Sequence, residues 1–142
     1  MNKCLSLVIV LVITSAISFA QNQNKMNITV QKGHTDIISF ASFANKSNTL
    51  VTASEDKLIK LWNITHGTLI RTIIPFYKDK TNWKISSLAI SPDGERIAAG
   101  TENILSIWSA DGNLVSQKEI FKDEIANLSF SSDNSSIIAI SR

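Results

Sequence analysis

The sequence holds one cysteine, Cys4, and two histidines, His34 and His66. With so few, neither an internal disulfide framework nor a zinc site of the Cys/His type can be assembled. Lysine and arginine number 14 against 12 Asp and Glu, for a formal net charge of +2. The cations are scattered singly, whereas a phosphate backbone is gripped by clustered Lys and Arg, so nothing here points to nucleic acid. There is no Gly-rich phosphate loop and no Gly-x-Ser-x-Gly. The carboxylates are dispersed, and the adjacent pairs Glu55-Asp56 and Asp123-Glu124 would point to opposite faces of a strand. The length allows one domain at most, or part of a larger one.

What is present begins with an N-terminal signal. Lys3 precedes an uncharged apolar run of 15 residues, Leu5 to Phe19, and Ser18 and Ala20 set small residues ahead of Gln21. This pattern predicts a cleavable secretory signal over residues 1–20 and an exported protein, periplasmic or extracellular, with no membrane contact after cleavage. An uncleaved anchor is the alternative, and the run is short for a bilayer span of about 20 residues. Cys4 lies before the apolar run and not after it, which excludes lipid attachment. Residues 21–27 are polar, without apolar periodicity, and read as a leader.

From Ile28 onward apolar residues alternate in short runs divided by turn signals, with no sustained helical period. The runs repeat. The first set is 37–43, 49–54, 57–62 and 68–73; the second is 85–90, 96–100, 104–108 and 113–120; the third is 125–130 and 136–141. Phe43, Ile90 and Phe130 hold one position in the three copies, 47 and then 40 residues apart, and Leu50, Ile97 and Ile137 each follow seven residues later. Ser91-Pro92-Asp93-Gly94 is a turn tetrapeptide, since Pro fixes φ and Gly accepts a positive one. Four strands per repeat of about 40–45 residues is the signature of a propeller blade.

The first copy opens with Gly33-His34 and closes with Trp62-Asn63. Asp56 stands 22 residues after His34 and six before Trp62, and Thr52 four before Asp56. On these residues the chain resembles the WD40 family. The resemblance implies an all-β propeller of four-stranded antiparallel blades, with His34, Thr52, Asp56 and Trp62 as its structural tetrad. A buried indole N–H needs an acceptor, which Thr52 supplies; His34 then accepts from Thr52, and Asp56 fixes the other His34 nitrogen. An Asp–His–hydroxyl string also resembles a catalytic triad, but a Thr inside a strand that serves a Trp is not an exposed nucleophile. The second copy departs from the pattern: Asn82, Ala99 and Asn103 stand at the His, hydroxyl and Asp positions, and Trp108 alone remains. The third carries Lys122 at the His position.

Blade one is thus expected over 33–74, blade two over 82–120 and part of blade three over 122–142, a WD40-like fragment over 28–142 whose ring is incomplete. Truncation of a longer propeller is the expected reason, and assembly with other chains the alternative. The loop 75–83 carries Phe76, Tyr77 and Trp83 among charged residues, the composition of a partner-binding loop, although packing against the blade edge explains Phe76 and Trp83 as well. The resemblance implies a secreted or periplasmic scaffold for protein partners, not an enzyme, with no catalytic residue, cofactor or metal. The alternative is the non-catalytic propeller portion of a larger secreted enzyme such as a hydrolase.

Overall fold

The computed structural model describes residues 33–75 and 83–142. The expected signal (1–20), the leader (21–27) and the run Ile28 to Gln31 lie outside the described residues. Gln31–Arg142 falls in one compact unit.

Among the described residues ten strands follow one another. The first sheet is β1 (Ile38–Phe43), β2 (Thr49–Ser54), β3 (Ile59–Asn63) and β4 (Thr68–Ile73). The second is β5 (Ser87–Ile90), β6 (Arg96–Thr101), β7 (Ile104–Ser109) and β8 (Leu114–Glu119). The third holds β9 (Ile125–Phe130) and β10 (Ile137–Ser141). Each sheet is an antiparallel meander in sequence order, and among the described residues there is no helix. The sheets are all-β propeller blades that are not closed into a ring.

The repeated apolar positions prove to be cross-strand partners. Phe43 faces Leu50, Ile90 faces Ile97 and Phe130 faces Ile137, each closing its first hairpin. The hairpins of the second and third sheets use one turn. The Ser91 hydroxyl donates to Asp93 Oδ1 at 2.5 Å and accepts from the Arg96 amide at 2.8 Å, and Gly94 sits at φ +81°. The Ser131 hydroxyl does the same with Asp133 (2.5 Å) and the Ser136 amide (2.9 Å), with Asn134 at φ +62°. The left-handed residue in each is of the type that tolerates it. The first hairpin has Ala44 in place of the Ser, and it closes with backbone bonds, Ala44 N to Thr49 O at 3.0 Å. The turns are stitched together: the Lys46 amide donates to Pro92 O at 2.8 Å, Lys46 Nζ to Ser132 O at 3.1 Å, and the Arg96 guanidinium to Asn134 O.

The sheets stack face to face. One core joins Val51, Ala53, Ile59 and Leu61 of the first sheet to Ile85, Leu88, Ile90, Ile97 and Trp108 of the second. A second core joins Ala89 and Ala98 to Ile125 and Leu128. Val51, Ala53, Ile59, Ile97, Ala98 and Ile125 are fully buried, and each large apolar side chain so placed stabilises by about 1.5–3 kcal/mol. The second interface depends on Gly100, where a Cβ would meet the Ile125 Cβ at 2.9 Å.

The outermost strands share an irregularity. Leu61 pairs with Arg71 and Trp62 with Leu69, so Ile70 is an extra residue in β4. Ile107 pairs with Ser116 and Trp108 with Leu114, so Val115 is its counterpart in β8. Both are bulges, one residue from the Trp in each blade.

Candidate functional site

His34 precedes β1, Thr52 lies in β2, Asp56 in the β2–β3 turn and Trp62 in β3, and these four side chains meet. Trp62 Nε1 donates to Thr52 Oγ1 at 2.9 Å. His34 Nε2 lies 2.8 Å from the same oxygen, and His34 Nδ1 lies 2.9 Å from Asp56 Oδ2. The single hydroxyl proton of Thr52 has two acceptors within reach, His34 Nε2 at 2.8 Å and Lys60 O at 3.5 Å. The shorter bond goes to the imidazole, so Nε2 accepts and Nδ1–H donates to Asp56. The His34 and Asp56 side chains are 2% and 5% exposed. The rings of His34 and Trp62 meet edge to face, 6.4 Å between centroids.

Asp56 ties this chain of bonds to the backbone. It accepts from the Thr35 amide at 3.0 Å and the Leu58 amide at 3.0 Å. Burial pushes its carboxyl up, but the Thr35 amide, His34 and the Leu58 amide outweigh burial and hold it below the usual carboxylate range. The segment entering the blade is thereby fixed to the β2–β3 turn. The arrangement does not suit nucleophilic catalysis, because Thr52 is 5% exposed and its oxygen already serves the indole.

In the second blade Ala99, fully buried, faces Ser106 where Thr52 faces Lys60. Trp108 is 3% exposed and packs within the first core. Asn103 donates through Nδ2 to Phe121 O at 3.3 Å, fastening its turn to the next linker. One pairing was not foreseen from sequence. Lys60 Nζ donates to Thr72 Oγ1 at 3.1 Å, and at the equivalent place Gln117 Nε2 donates to Ser106 Oγ at 3.0 Å. Both link β3 to β4 or β7 to β8, and only the register reveals them.

Where the β2–β3 turn approaches the entry to the second blade there is a groove of about 270 Å³. Trp83 and Ile85 form its apolar wall, with Ser39, Ser54, Glu55, Lys57 and Lys84 around it. Glu55 accepts from the Ser39 hydroxyl at 3.2 Å and pairs with Lys84 at 3.2 Å. Lys57 Nζ stands 5.7 Å from the centre of the Trp83 ring. Trp83 therefore both packs, at 8% exposure within the first core, and lines the groove. Phe76 and Tyr77 lie outside the described residues. Ser39, Ser54, Glu55 and Lys84 carried no signal in the sequence, because the groove arises from turns that are far apart along the chain. Among the described residues no three His, Cys, Asp or Glu gather to hold a metal, and no helix is long and apolar enough to cross a membrane.

Stacked four-stranded meanders, one of them with the buried His–Thr–Trp–Asp chain of bonds, define a repeat protein of the propeller class. The WD40 family model, described as WD domain, G-beta repeat, matches residues 25–63 and 67–116, more than half of the chain. The chain belongs to the WD40 family. It is similar to a WD repeat-containing protein WDS homolog of Arabidopsis thaliana, 31% identical over 85 residues, covering 58% of this chain and 16% of the relative. It is also similar to a ribosome biogenesis protein BOP1 homolog of Drosophila grimshawi, 34% identical over 80 residues, covering 54% of this chain and 9% of the relative. With the BOP1 homolog of Drosophila melanogaster the identity is 46% over 44 residues, covering 31% of this chain and 6% of the relative. The chain thus spans less than a fifth of the length of these relatives. Domains of this family generally mediate protein–protein interaction without catalysis.

These relatives correct the expectation of an exported protein. BOP1 homologs are by name ribosome biogenesis proteins, and that process is intracellular, not periplasmic or extracellular. The expectation rested on the run at residues 1–20, which lies outside the described residues, while the relatives match the repeats.

Proposed function

We propose that the chain is a protein-interaction scaffold that holds a partner segment in the groove beside Trp83. The observation that carries this reading is the groove itself: an apolar wall of Trp83 and Ile85, rimmed by a carboxylate and two ammonium groups. Such a site takes one apolar side chain of an extended segment and orients it by its polar neighbours. The tetrad's part is architectural: it holds the turn that carries Glu55 and Lys57 in place. Phe76 and Tyr77 extend the aromatic loop along the same stretch of sequence. The BOP1 relatives make intracellular proteins the starting point in the search for the partner.

The test is affinity recovery with the full chain and two variants. Ser39→Arg fills the groove from an exposed position, and Tyr77→Ala trims the loop. Proteins recovered by the parent are expected to be lost with Ser39→Arg and reduced with Tyr77→Ala, at unchanged melting temperature. Equal recovery by all three chains refutes the groove; loss of recovery together with stability assigns these residues to packing.

A further inference from the structure

Donors outnumber acceptors around the groove beside Trp83. Glu55 is the one carboxylate among its described lining residues, and both oxygens are engaged. Oε1 accepts from the Ser39 hydroxyl at 3.2 Å and Oε2 pairs with Lys84 Nζ at 3.2 Å. The Ser54 hydroxyl donates to Asp36 O at 3.2 Å and accepts from the Asp56 amide at 3.1 Å. Facing them are two ammonium groups, each with three donors. Glu55 engages one donor of Lys84, whose side chain is 76% exposed and keeps the rest toward water. Lys57 Nζ stands 5.7 Å from the centre of the Trp83 ring. Two lysines against one glutamate give the lining a formal charge of +1. Blade packing does not demand this rim. Lys84 lies six residues before Ile90, and six residues before Phe130 the next blade carries Glu124. Asp123 stands there in place of Trp83. The β2–β3 turn holds Lys57 at φ +65°, and the β6–β7 turn holds Glu102 at φ +53°. Both turns thus put a charged residue where a side chain is strained, with opposite signs. The basic rim belongs to this junction and not to the repeat.

We propose that the groove takes an acidic, extended segment of a partner protein: a large apolar side chain lies on Trp83 and Ile85, and the carboxylate of an adjacent Asp or Glu reaches Lys84 and Lys57. This rests on the groove being a partner site and adds the partner's chemistry to it. Charge complementarity selects the occupant. A carboxylate brings acceptors to a rim of donors, and its single negative charge matches the +1 of the lining. A lysine or arginine of the partner would meet two ammonium groups and a carboxylate whose oxygens are already bound. A phosphoryl group would set up to about two negative charges beside Glu55, more than the lining balances. At about 270 Å³ the groove is smaller than the about 300–1,000 Å³ of small-molecule pockets, and it suits one side chain of an extended segment.

The experiment is fluorescence anisotropy of the full chain with labelled peptides of one length. Each peptide has a single leucine in a Gly/Ser background, and the residue beside it is glutamate, glutamine, lysine or phosphoserine. The glutamate peptide is expected to bind about threefold or more tightly than the glutamine peptide, a difference that shrinks as salt rises. Lys84→Ala is expected to remove that preference and Lys84→Glu to turn it toward the lysine peptide. Ser39→Leu, which fills the groove without adding charge, is expected to abolish binding of every peptide. Far-UV circular dichroism and melting check each variant's fold, and Ser39→Gln is the gentler substitute where leucine unfolds the chain. Equal binding of all the peptides, abolished by Ser39→Leu, overturns the acidic preference and leaves the groove standing. A preference for lysine or phosphoserine, or a glutamate preference that Lys84→Glu does not move, overturns it as well. No binding of any peptide, or binding that survives filling of the groove, overturns the groove and this inference together.

Discussion

Replacing Thr52 by Val changes one oxygen for one methyl group at the centre of the tetrad. The volume hardly alters and Val suits a strand at least as well as Thr, so no cavity or propensity loss follows. Two bonds disappear together, the 2.9 Å bond from Trp62 Nε1 and the 2.8 Å bond to His34 Nε2. Trp62 and His34 are then left with buried polar atoms lacking their partner, at about 1–3 kcal/mol each. The expected loss is about 2–6 kcal/mol. With a urea slope of about 1–3 kcal/mol/M, a loss near the middle of that range moves the unfolding midpoint down by at least about 1 M. Circular dichroism is the suitable readout, because the environment of Trp62 itself changes. Trp62→Phe removes the indole N–H and should be partly rescued in the Thr52→Val background, with a coupling of at least about 1 kcal/mol. Thr52→Ser, which keeps the hydroxyl, should lose only about 1 kcal/mol for the missing methyl. A Thr52→Val chain that unfolds within about 0.5 kcal/mol of the parent, with no coupling to Trp62→Phe, refutes the bond chain as a source of stability.

Gly100→Ala drives a methyl group against Ile125 and the Ser87 hydroxyl. It should destabilise by about 1–3 kcal/mol, read by thermal unfolding, and Ser87→Ala in the same chain, which removes the hydroxyl nearest the new methyl group, should recover part of that loss. Lys84→Ala breaks an ion pair in which the lysine side chain is 76% exposed, and it should shift stability by less than about 1 kcal/mol in the same assay. Acid should weaken the fold through Asp133, whose carboxyl is lowered to about 2 by the Ser131 hydroxyl and by the amide and hydroxyl of Ser135. A folded value below the unfolded one means the stabilisation is complete above about pH 4 and fades as pH falls towards about 2. Melting temperatures of Asp133→Asn between those limits should therefore fall less steeply with acid than those of the parent.

The strands were legible because each follows from local pattern. Alternation gave the runs, and Ser91-Pro92-Asp93-Gly94 gave a turn whose bonds are local too. The shared positions of Phe43, Ile90 and Phe130 were legible as repeats, and pairing with Leu50, Ile97 and Ile137 is what that regularity means in space. The tetrad spacing brings four distant residues together for the same reason, since the register of β2 on β3 is set by the hairpin. What stayed hidden depends on contacts between sheets or across registers. Lys60 reads as a solvated strand lysine, yet it is 4% exposed with its ammonium on Thr72. The groove lies where separate blades approach, and no single run of sequence encodes it. The exported location was read from the N-terminal run alone, and it is the location that the relatives overturn.

The bulges at Ile70 and Val115 bear on how this protein avoids aggregation. β4 and β8 are the outer strands of their sheets, and both display large apolar residues to water, Ile70 at 46% and Val115 at 63% exposure. A straight strand of that kind would be a template on which a foreign strand could add, residue by residue, into a fibril. The extra residue interrupts the ladder one step from each tryptophan, so an incoming strand that matched one half would be out of phase in the other. Removing Ile70 would restore an even edge. The same deletion that made blade one more regular would then leave the chain prone to amyloid-like growth.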